Sequence, residues 1–500
     1  MPASSSATRP DAVREIETKF DVPPDFRTPD VDGFVPAGGR LDVDTVTLAS
    51  TYWDTSALTL LRYRLTLRRR VGDTDSGWQL KVPGASFRTE LRWPSDAGSA
   101  AGSEPPAEML ELLHPFLGRA TPAPAVRLTV TRTRHRIVDA SGTLVVELAH
   151  DDVRAASLAS EVRAARWHEV EAELGPAGDR TLLAEVGVAL LQAGAFASTS
   201  RSKLARSLLG IGNEGIGTPR TSAGAVLADY IEAQSDALTA AHFGISEDAP
   251  DSIHQGRVAA RRLRSTLRNF EHCFDEDQAV ALEAELKWYA EVLGEVRDRE
   301  VLRARLAEAI SGLSDALVVG PVADRIDARL AAEQAEKRAD VLELMRGQRY
   351  ADLLADVIRW RDDPPFTAAA GRPAQTLLQA VDRAERKLGK RLSDAVEPSG
   401  TDEQLHSARK AGKRARYAAE AATGDNSKAV RAAKALQDLL GEFQDSVVAE
   451  AVLRRLADDA WSRGENNFTY GVLVAEERGR ADEARVQARS EASRLNRTKN

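Results

Sequence analysis

The sequence predicts an α+β protein, a strand-rich first half that curls into a barrel followed by an all-helical second half. Three observations carry this. Between residues 11 and 210, short β-branched and aromatic runs alternate charged with apolar residues at a period of two. From residue 221 onward the chain changes to long Ala/Leu/Arg/Glu stretches with few strand formers. Within those stretches, a segment carrying a histidine and a basic stripe occurs twice.

The first strand is built on Glu15-Ile16-Glu17-Thr18-Lys19. Alternation projects Glu15, Glu17 and Lys19 to one face and Ile16 to the other. Residues 46–52 form the next strand, followed by Trp53-Asp54-Thr55. Residues 63–71 follow as a strand in which Arg64, Arg68 and Arg70 share the parity of Thr66. After a turn at 72–77, strand 78–82 carries Lys81, and strand 87–93 sets Arg88, Glu90 and Arg92 on one face. The Gly/Ser/Ala/Pro segment 97–106 is a loop and 107–117 a short helix. Strand 126–138 carries Arg132, Arg134 and Arg136 on one parity. A hairpin at 139–142 returns into strand 144–150, which ends at Asp151-Asp152. Strand 167–174 places Glu169, Glu171 and Glu173 on a common face. A helix over 179–193 and Ser202-Lys203 complete the half.

One surface strand with three arginines is ordinarily a solvated face. Several such strands in one domain, with apolar residues on the opposite parity, imply a barrel with a charged interior. Buried charges must be paired or must ligate something. Lysines and arginines suit a polyanion, and carboxylates among them suit a hard divalent cation such as Mg²⁺ or Mn²⁺. A phosphoanhydride chain with a bound metal satisfies both demands.

Composition narrows the classes. Of 500 residues, 43% are hydrophobic, enough for more than one globular core. No apolar run approaches the roughly 18 residues of a membrane span, and no membrane partner is expected. The small, polar residues 1–10 lack the apolar core of a secretion signal. The single cysteine, Cys273, excludes an intramolecular disulfide framework and fits a reducing cytoplasm, where the protein is expected. Beside Phe270 and Phe274 it reads as a small buried hydrophobe. Net charge is −8, with 25 basic against 27 acidic residues through residue 210 and 43 against 49 after it. A generic nucleic-acid binder is disfavoured, and any anion site must come from local patterning.

The second half has that patterning. A glycine-rich linker over 211–220 separates domains at 11–210 and 221–500, the latter an internal repeat of about 221–362 and 373–480. His254-x-x-Arg257-x-x-x-Arg261-Arg262-x-Arg264 matches His406-x-x-Arg409-x-x-x-Lys413-Arg414-x-Arg416. Farther on, Leu293-Gly294-Glu295-Val296-Arg297-Asp298 matches Leu440-Gly441-Glu442-Phe443-Gln444-Asp445, and Lys287 corresponds to Lys434. At 100° per residue, His254, Arg257, Arg261, Arg264 and Arg268 occupy about a quarter of the helix circumference. His406, Arg409, Lys413 and Arg416 repeat the stripe, with Lys410 beside it. A solvated helix face is the bland alternative. Against it, residues 405–417 hold five basic residues and no acid, so no i,i+4 partner within them tempers the repulsion. Tyr417 is the sole aromatic beside the stripe, which disfavours single-stranded nucleic acid and favours a linear polyanion without bases.

The ordered motifs of the first half, Glu15-x-Glu17-x-Lys19, Tyr52-Trp53-Asp54-Thr55, Leu67-Arg68-Arg69-Arg70, Trp78-Gln79-Leu80-Lys81 and Glu169-Val170-Glu171, resemble the CYTH family. These are triphosphate tunnel metalloenzymes built on a closed antiparallel eight-stranded barrel. The resemblance implies that Glu15, Glu17, Glu169 and Glu171 hold metal, with Asp151 or its neighbour Asp152 completing the set and Glu173 an extra candidate. It implies that Lys19, Arg68, Arg70, Lys81, Arg88, Arg132 or Arg134, and Lys203 grip phosphates. The second half resembles the CHAD domain, a duplicated helical module associated with inorganic polyphosphate binding. That resemblance makes the two stripes, with Lys287, the lining of a basic groove. Together they imply a cytoplasmic, Mg²⁺- or Mn²⁺-dependent triphosphatase whose helical domain binds inorganic polyphosphate or tripolyphosphate and no nucleic acid. The alternatives are a non-catalytic polyphosphate-binding protein, or a thiamine triphosphatase or adenylate cyclase of the same barrel family.

Overall fold

The computed structural model describes residues 10–84, 87–94, 104–158, 164–200, 202–209, 221–397, 401–424 and 428–497. The linker expected over 211–220 lies outside the described residues, as does most of the loop expected over 97–106. The chain divides into two compact units. The first is built on Met1–Thr218 with Thr239–Ala249 and Gln348–Ile358, and the second on the remainder.

Among the described residues the first unit holds ten strands, β1 (Asp11–Glu15), β2 (Glu17–Val22), β3 (Arg40–Asp54), β4 (Thr66–Val71), β5 (Gly77–Val82), β6 (Arg88–Pro94), β7 (Ala123–Val138), β8 (Leu144–Ser157), β9 (Ala164–Leu174) and β10 (Phe196–Ala197). They form one antiparallel sheet in the order β1-β6-β5-β4-β3-β7-β8-β9-β2-β10. The strand expected around Glu15 to Lys19 is interrupted at Ile16. Its first half pairs with β6 and its second half with β9. Four helices accompany the sheet, α1 (Thr59–Arg62), α2 (Ala107–Leu117), α3 (Arg180–Gln192) and α4 (Lys203–Leu209).

Several strand boundaries depart from the sequence expectation: β3 begins at Arg40 rather than 46, β8 runs past Asp151-Asp152 to Ser157, and β9 begins at Ala164 rather than 167. The strand expected from residue 63 begins at Thr66, and Arg64 sits at a left-handed φ of 61° rather than in the sheet. The cause is Asp54. Its buried carboxylate accepts the backbone N–H groups of Leu60 and Leu61, each at 2.9 Å, which winds residues 59–62 into the single turn of α1. Arg64 therefore leaves the row formed by Arg68 and Arg70.

Alternation gives the sheet two unlike faces. On one, Phe20, Val22, Val146, Leu148, Val170 and Ala172 pack beneath Leu183, Val186 and Leu190 of α3. The other carries the charges, and it is not charged throughout. Val126, Leu128 and Val130 share the parity of Arg132 and Arg134 on β7. They pack with Leu48, Tyr52, Val153, Trp167 and Leu204 of α4 into an apolar cluster at one end of that face. The charged residues begin where this cluster stops.

The helices that follow are α5 (Ala223–Ser246), α6 (Ser252–Asn269), α7 (Glu276–Ser311), α8 (Val322–Met345), α9 (Gln348–Asp362), α10 (Leu378–Val396), α11 (Asp402–Thr423), α12 (Lys428–Ser462) and α13 (Phe468–Arg497), all in the second unit except the end of α5 and most of α9. The duplication is structural as well as sequential. Stripe helix α6 is followed by the 36-residue α7, and stripe helix α11 by the 35-residue α12. Starts are marked locally. The Asp275 side chain caps α7 by accepting from the Gln278 N–H, and Thr401 forms a capping box with Gln404 at α11. The alanines opposite the second stripe, Ala408, Ala411 and Ala415, are buried against Leu388, Leu392, Leu440 and Phe443. Cys273 is buried, as expected.

Candidate functional site: an ion-paired sheet face and a basic helical stripe

On the sheet, register decides which charges meet. Lys19 lies opposite Glu171, Asp151 opposite both Arg132 and Glu169, and Lys81 opposite Glu90. Ser202 Oγ caps α4 by accepting the Ala205 N–H at 3.1 Å, which places Lys203 at its first turn. The Lys203 ammonium stands 3.0 Å from Asp151, 2.5 Å from Glu169 and 2.8 Å from Glu171. Arg132 holds Asp151 with two bonds of 2.8 Å and reaches Glu171 at 2.8 Å. The Trp167 indole N–H donates to Glu169 at 2.6 Å.

These neighbours set the protonation states. Burial alone would push the Glu171 carboxyl up, but Lys19, Lys203 and Arg132 hold it well below the usual carboxylate range. Burial likewise opposes charge on Lys203, and Glu169, Glu171 and Asp151 more than reverse that effect, so its ammonium is firmly charged. Glu173 differs. Burial and the nearby Glu15 push it up to about 7, with Lys81 opposing.

The remaining candidates of this half lie on the same face in smaller groups. Glu15 pairs with Lys81 at 2.7 Å, and Glu17 lies 3.3 Å from Lys19 and 3.4 Å from Arg88. Burial raises Glu17, and Lys19, Lys81 and Arg88 together bring it below its ordinary value. Arg68 is buried, donating to Gln79, Tyr52 and Glu90. Arg70 is held by Asp75, and Arg134 by Asp44 and Asp73. Asp151 is fully buried in this network, whereas Asp152 bonds Arg166 on the exposed side. Two participants are absent from the sequence-derived set. Glu90 is fully buried between Arg68 and Lys81, and Arg206 reaches Asp21 and Glu169 with its guanidinium over the Trp167 ring. The parity of Glu90 with Arg88 and Arg92 was its available signal; Arg206 had none, because a helix, not a strand, delivers it.

Carboxylate oxygens of Asp151, Glu169 and Glu171 lie within 4.8 Å of one another. Three hard oxygen donors at that spacing fit a divalent cation, with Lys203 marking where positive charge is favoured. Glu15 and Glu17 are not part of this trio.

In the helical unit most stripe residues are held by an acid. Arg257 donates to Asp298 at 2.9 Å, and Arg264 and Arg268 share Glu283. Arg409 lies 3.7 Å from Asp445, and Arg416 lies 3.0 Å from Glu420, one turn beyond the acid-free segment. His406 Nδ1 is 3.1 Å from Gln444 Oε1, His254 is partly buried, and Lys287 and Lys410 are exposed. The exceptions are Arg261 and Lys413, the same position in the two repeats. Among the described residues neither has a hydrogen-bond or ion-pair partner. Burial, then Arg261, Arg409 and Arg257, pulls the Lys413 amine down to about 6. Burial and Arg257, Arg409 and Arg416 likewise lower Arg261. The stripes of both repeats therefore act on one another at a single place.

The first unit is a ten-stranded sheet with an acidic trio among cations, and the second is a duplicated helical unit with a basic stripe. Residues 229–454 match the CHAD domain family. Over 508 aligned residues the chain is 34% identical to the uncharacterized protein Rv2226 of Mycobacterium tuberculosis, covering 98% of both. Among solved structures it is similar to PptA from Streptomyces chartreusis, with 22% identity, 55% of this chain and 100% of that one covered, and a TM-score of 0.46. It is also similar to a putative adenylate cyclase from Bacillus halodurans, with 16% identity, 39% and 98% covered, and a TM-score of 0.29. The chain belongs to the family of Rv2226, with a CHAD match over residues 229–454. Among the described residues no helix is long and apolar enough to cross a membrane.

Proposed function

We propose that the sheet unit is a closed tunnel that hydrolyses a terminal phosphoanhydride of inorganic triphosphate or short polyphosphate, and that the helical unit binds inorganic polyphosphate. The observation that carries this is the Lys203 ammonium set among Asp151, Glu169 and Glu171, with Arg132, Lys19 and Lys81 around it. Closure is supported by β1 and β2. They stand eight places apart in the strand order yet are separated in the chain by Ile16 alone, whose carbonyl accepts the Leu174 N–H at 2.9 Å. A single strand pairing on both edges is how eight strands close.

Asp151, Glu169 and Glu171 would hold Mg²⁺ or Mn²⁺, with Glu15 and Glu17 as further carboxylates on the same face. Such an ion supplies charge to a phosphate oxygen and acidifies bound water. Arg68, Arg132, Lys19, Lys81 and Lys203 hold the phosphate oxygens in line and stabilise charge that develops on them. Each of these cations already has a carboxylate partner, so phosphate enters by exchanging partners rather than by filling a bare positive cavity. Residues Val126, Leu128, Val130 and Trp167 keep water from one end of the face.

The test is phosphate release from tripolyphosphate, long-chain polyphosphate, ATP and thiamine triphosphate, with and without each metal. Tripolyphosphate turnover should need the metal and fall about a hundredfold or more in Glu171→Gln. Turnover at the parent rate in that variant under saturating metal would refute the assignment. A non-catalytic binding protein is the second reading. It is favoured by the fact that Lys203, Arg132 and Lys19 already pair with all three carboxylates, and it predicts no release from any substrate.

A further inference from the structure

Arg257 and Arg409 head the two basic stripes, and each lies against a glycine. A Cβ added at Gly294 would meet the Arg257 guanidinium, with Nη2 at 3.2 Å and Cζ and Nε at 3.4 Å. A Cβ at Gly441 would lie 3.8 Å from Arg409 Nη2. Neither glycine is required by the backbone, since neither has a positive φ and both lie inside long helices, α7 and α12. A glycine there costs about 1 kcal/mol of helix stability relative to alanine. The helix carries this cost twice, at matching positions. One turn farther along each helix stands the acid that holds the same arginine, Asp298 at 2.9 Å and Asp445 at 3.7 Å. The Nε atoms of Arg257 and Arg409 are both buried without an acceptor, so each guanidinium is inserted against the helix rather than extended into water.

We propose that the repeated Leu-Gly corner with its following aspartate is a guanidinium seat. Gly294 and Asp298 position Arg257, and Gly441 and Asp445 position Arg409, so that both face the unpaired Arg261 and Lys413 and gather four basic side chains at one place for a phosphate chain. This rests on the polyphosphate-binding reading of the helical unit. The geometry follows from chain chemistry. An arginine has four side-chain torsions to order, and binding a flexible polyanion with a flexible cation wastes affinity on that ordering. A bare helix surface and a carboxylate at i+4 fix the guanidinium plane beforehand. Asp298 and Asp445 act through the arginines and are positioning residues.

The seat makes two effects of one substitution run in opposite directions. Gly294→Ala removes a helix-interior glycine, so thermal stability of the full chain should hold or rise. The added methyl pushes Arg257 from its place, so affinity for long-chain inorganic polyphosphate should fall about tenfold, the scale of one charge-assisted contact. Arg257→Ala should give a similar loss, and the double variant no more than either, because both remove one seated cation. Asp298→Asn should weaken binding less, with Asp298→Glu restoring part of it. Parent affinity in Gly294→Ala, or losses that add fully in the double variant, would overturn the seat. A crystal structure of Gly294→Ala provides the readout that does not depend on polyphosphate. The seat predicts Arg257 displaced from Asp298, and an unmoved guanidinium refutes it. Failure of the parent chain to bind polyphosphate would refute the ligand assignment and leave that structural outcome to judge the seat.

Discussion

The two units manage charge in opposite ways. On the sheet face, buried cations and carboxylates are matched closely, with Lys203, Arg132 and Lys19 sharing Asp151, Glu169 and Glu171. On the helical stripe the outer arginines are matched while the central pair, Arg261 and Lys413, has no ion-pair partner among the described residues. A matched network is stable in the free protein and admits a ligand by exchange. An unmatched one stores repulsion that a polyanion relieves. The contrast suits a site that must pass a substrate through and a surface that must retain a long chain.

The largest test of the contrast is stability. Asp151→Asn leaves Arg132 and Lys203 buried with less counter-charge and should cost about 3 kcal/mol, seen as a lower denaturant midpoint. A neutral outcome would mean that water reaches the face and that the network is not buried as described. Next in size is binding. Replacing Arg257, Arg261, Arg409 and Lys413 with alanine should weaken polyphosphate binding about a hundredfold. It should also flatten the dependence of log affinity on log salt, by somewhat under one unit for each lost contact, with helical circular dichroism intact. Equal binding by parent and variant would return both stripes to solvated faces.

The pH dependence is smaller and more specific. Lys413 is mostly neutral above about pH 6, and a bound phosphate favours its charged form, so binding takes up a proton. Affinity should rise as pH falls from about 8 to 6, by up to about tenfold per unit, and level off below. The measurement is the difference from Lys413→Arg, which stays charged and should lose the lysine's share of the slope. Identical slopes would mean that Lys413 does not change protonation on binding. The smallest effect is on folding. With its pKa lowered in the folded state, Lys413 costs stability increasingly as pH falls from its unfolded value near 10.4 toward 6. Lys413→Met should therefore stabilise the chain by about 1 kcal/mol at neutral pH, opposite in sign to Asp151→Asn. Loss of stability in that variant would show that the amine has a favourable partner.

What could be read in the chain without its fold was whatever a fixed period exposes. Alternation set Lys19 with Glu15 and Glu17, and Glu169 with Glu171 and Glu173, on common faces. The 100° helical step grouped His254 through Arg268, and duplication aligned Arg261 with Lys413. Each depends on local geometry, which two or four neighbouring residues suffice to define. Strand limits were less visible at Arg64, because a buried carboxylate ten residues away in Asp54 decided where the turn ended.

Tertiary structure alone decided partnership. Nothing local tells Asp151 from Asp152, since adjacent strand residues differ only in which face is buried; register against Arg132 and Arg166 separates them. Glu283 and Glu420 answer the stripe from other turns and other helices, so a segment without acids is not a segment without counter-ions. The metal-fitting trio joins β8 and β9 under a lysine from α4, and Gly294 acquires a reason only once Arg257 lies across it. Period is a property of a segment, whereas pairing is a property of distances between segments, which the sequence does not contain until the chain folds.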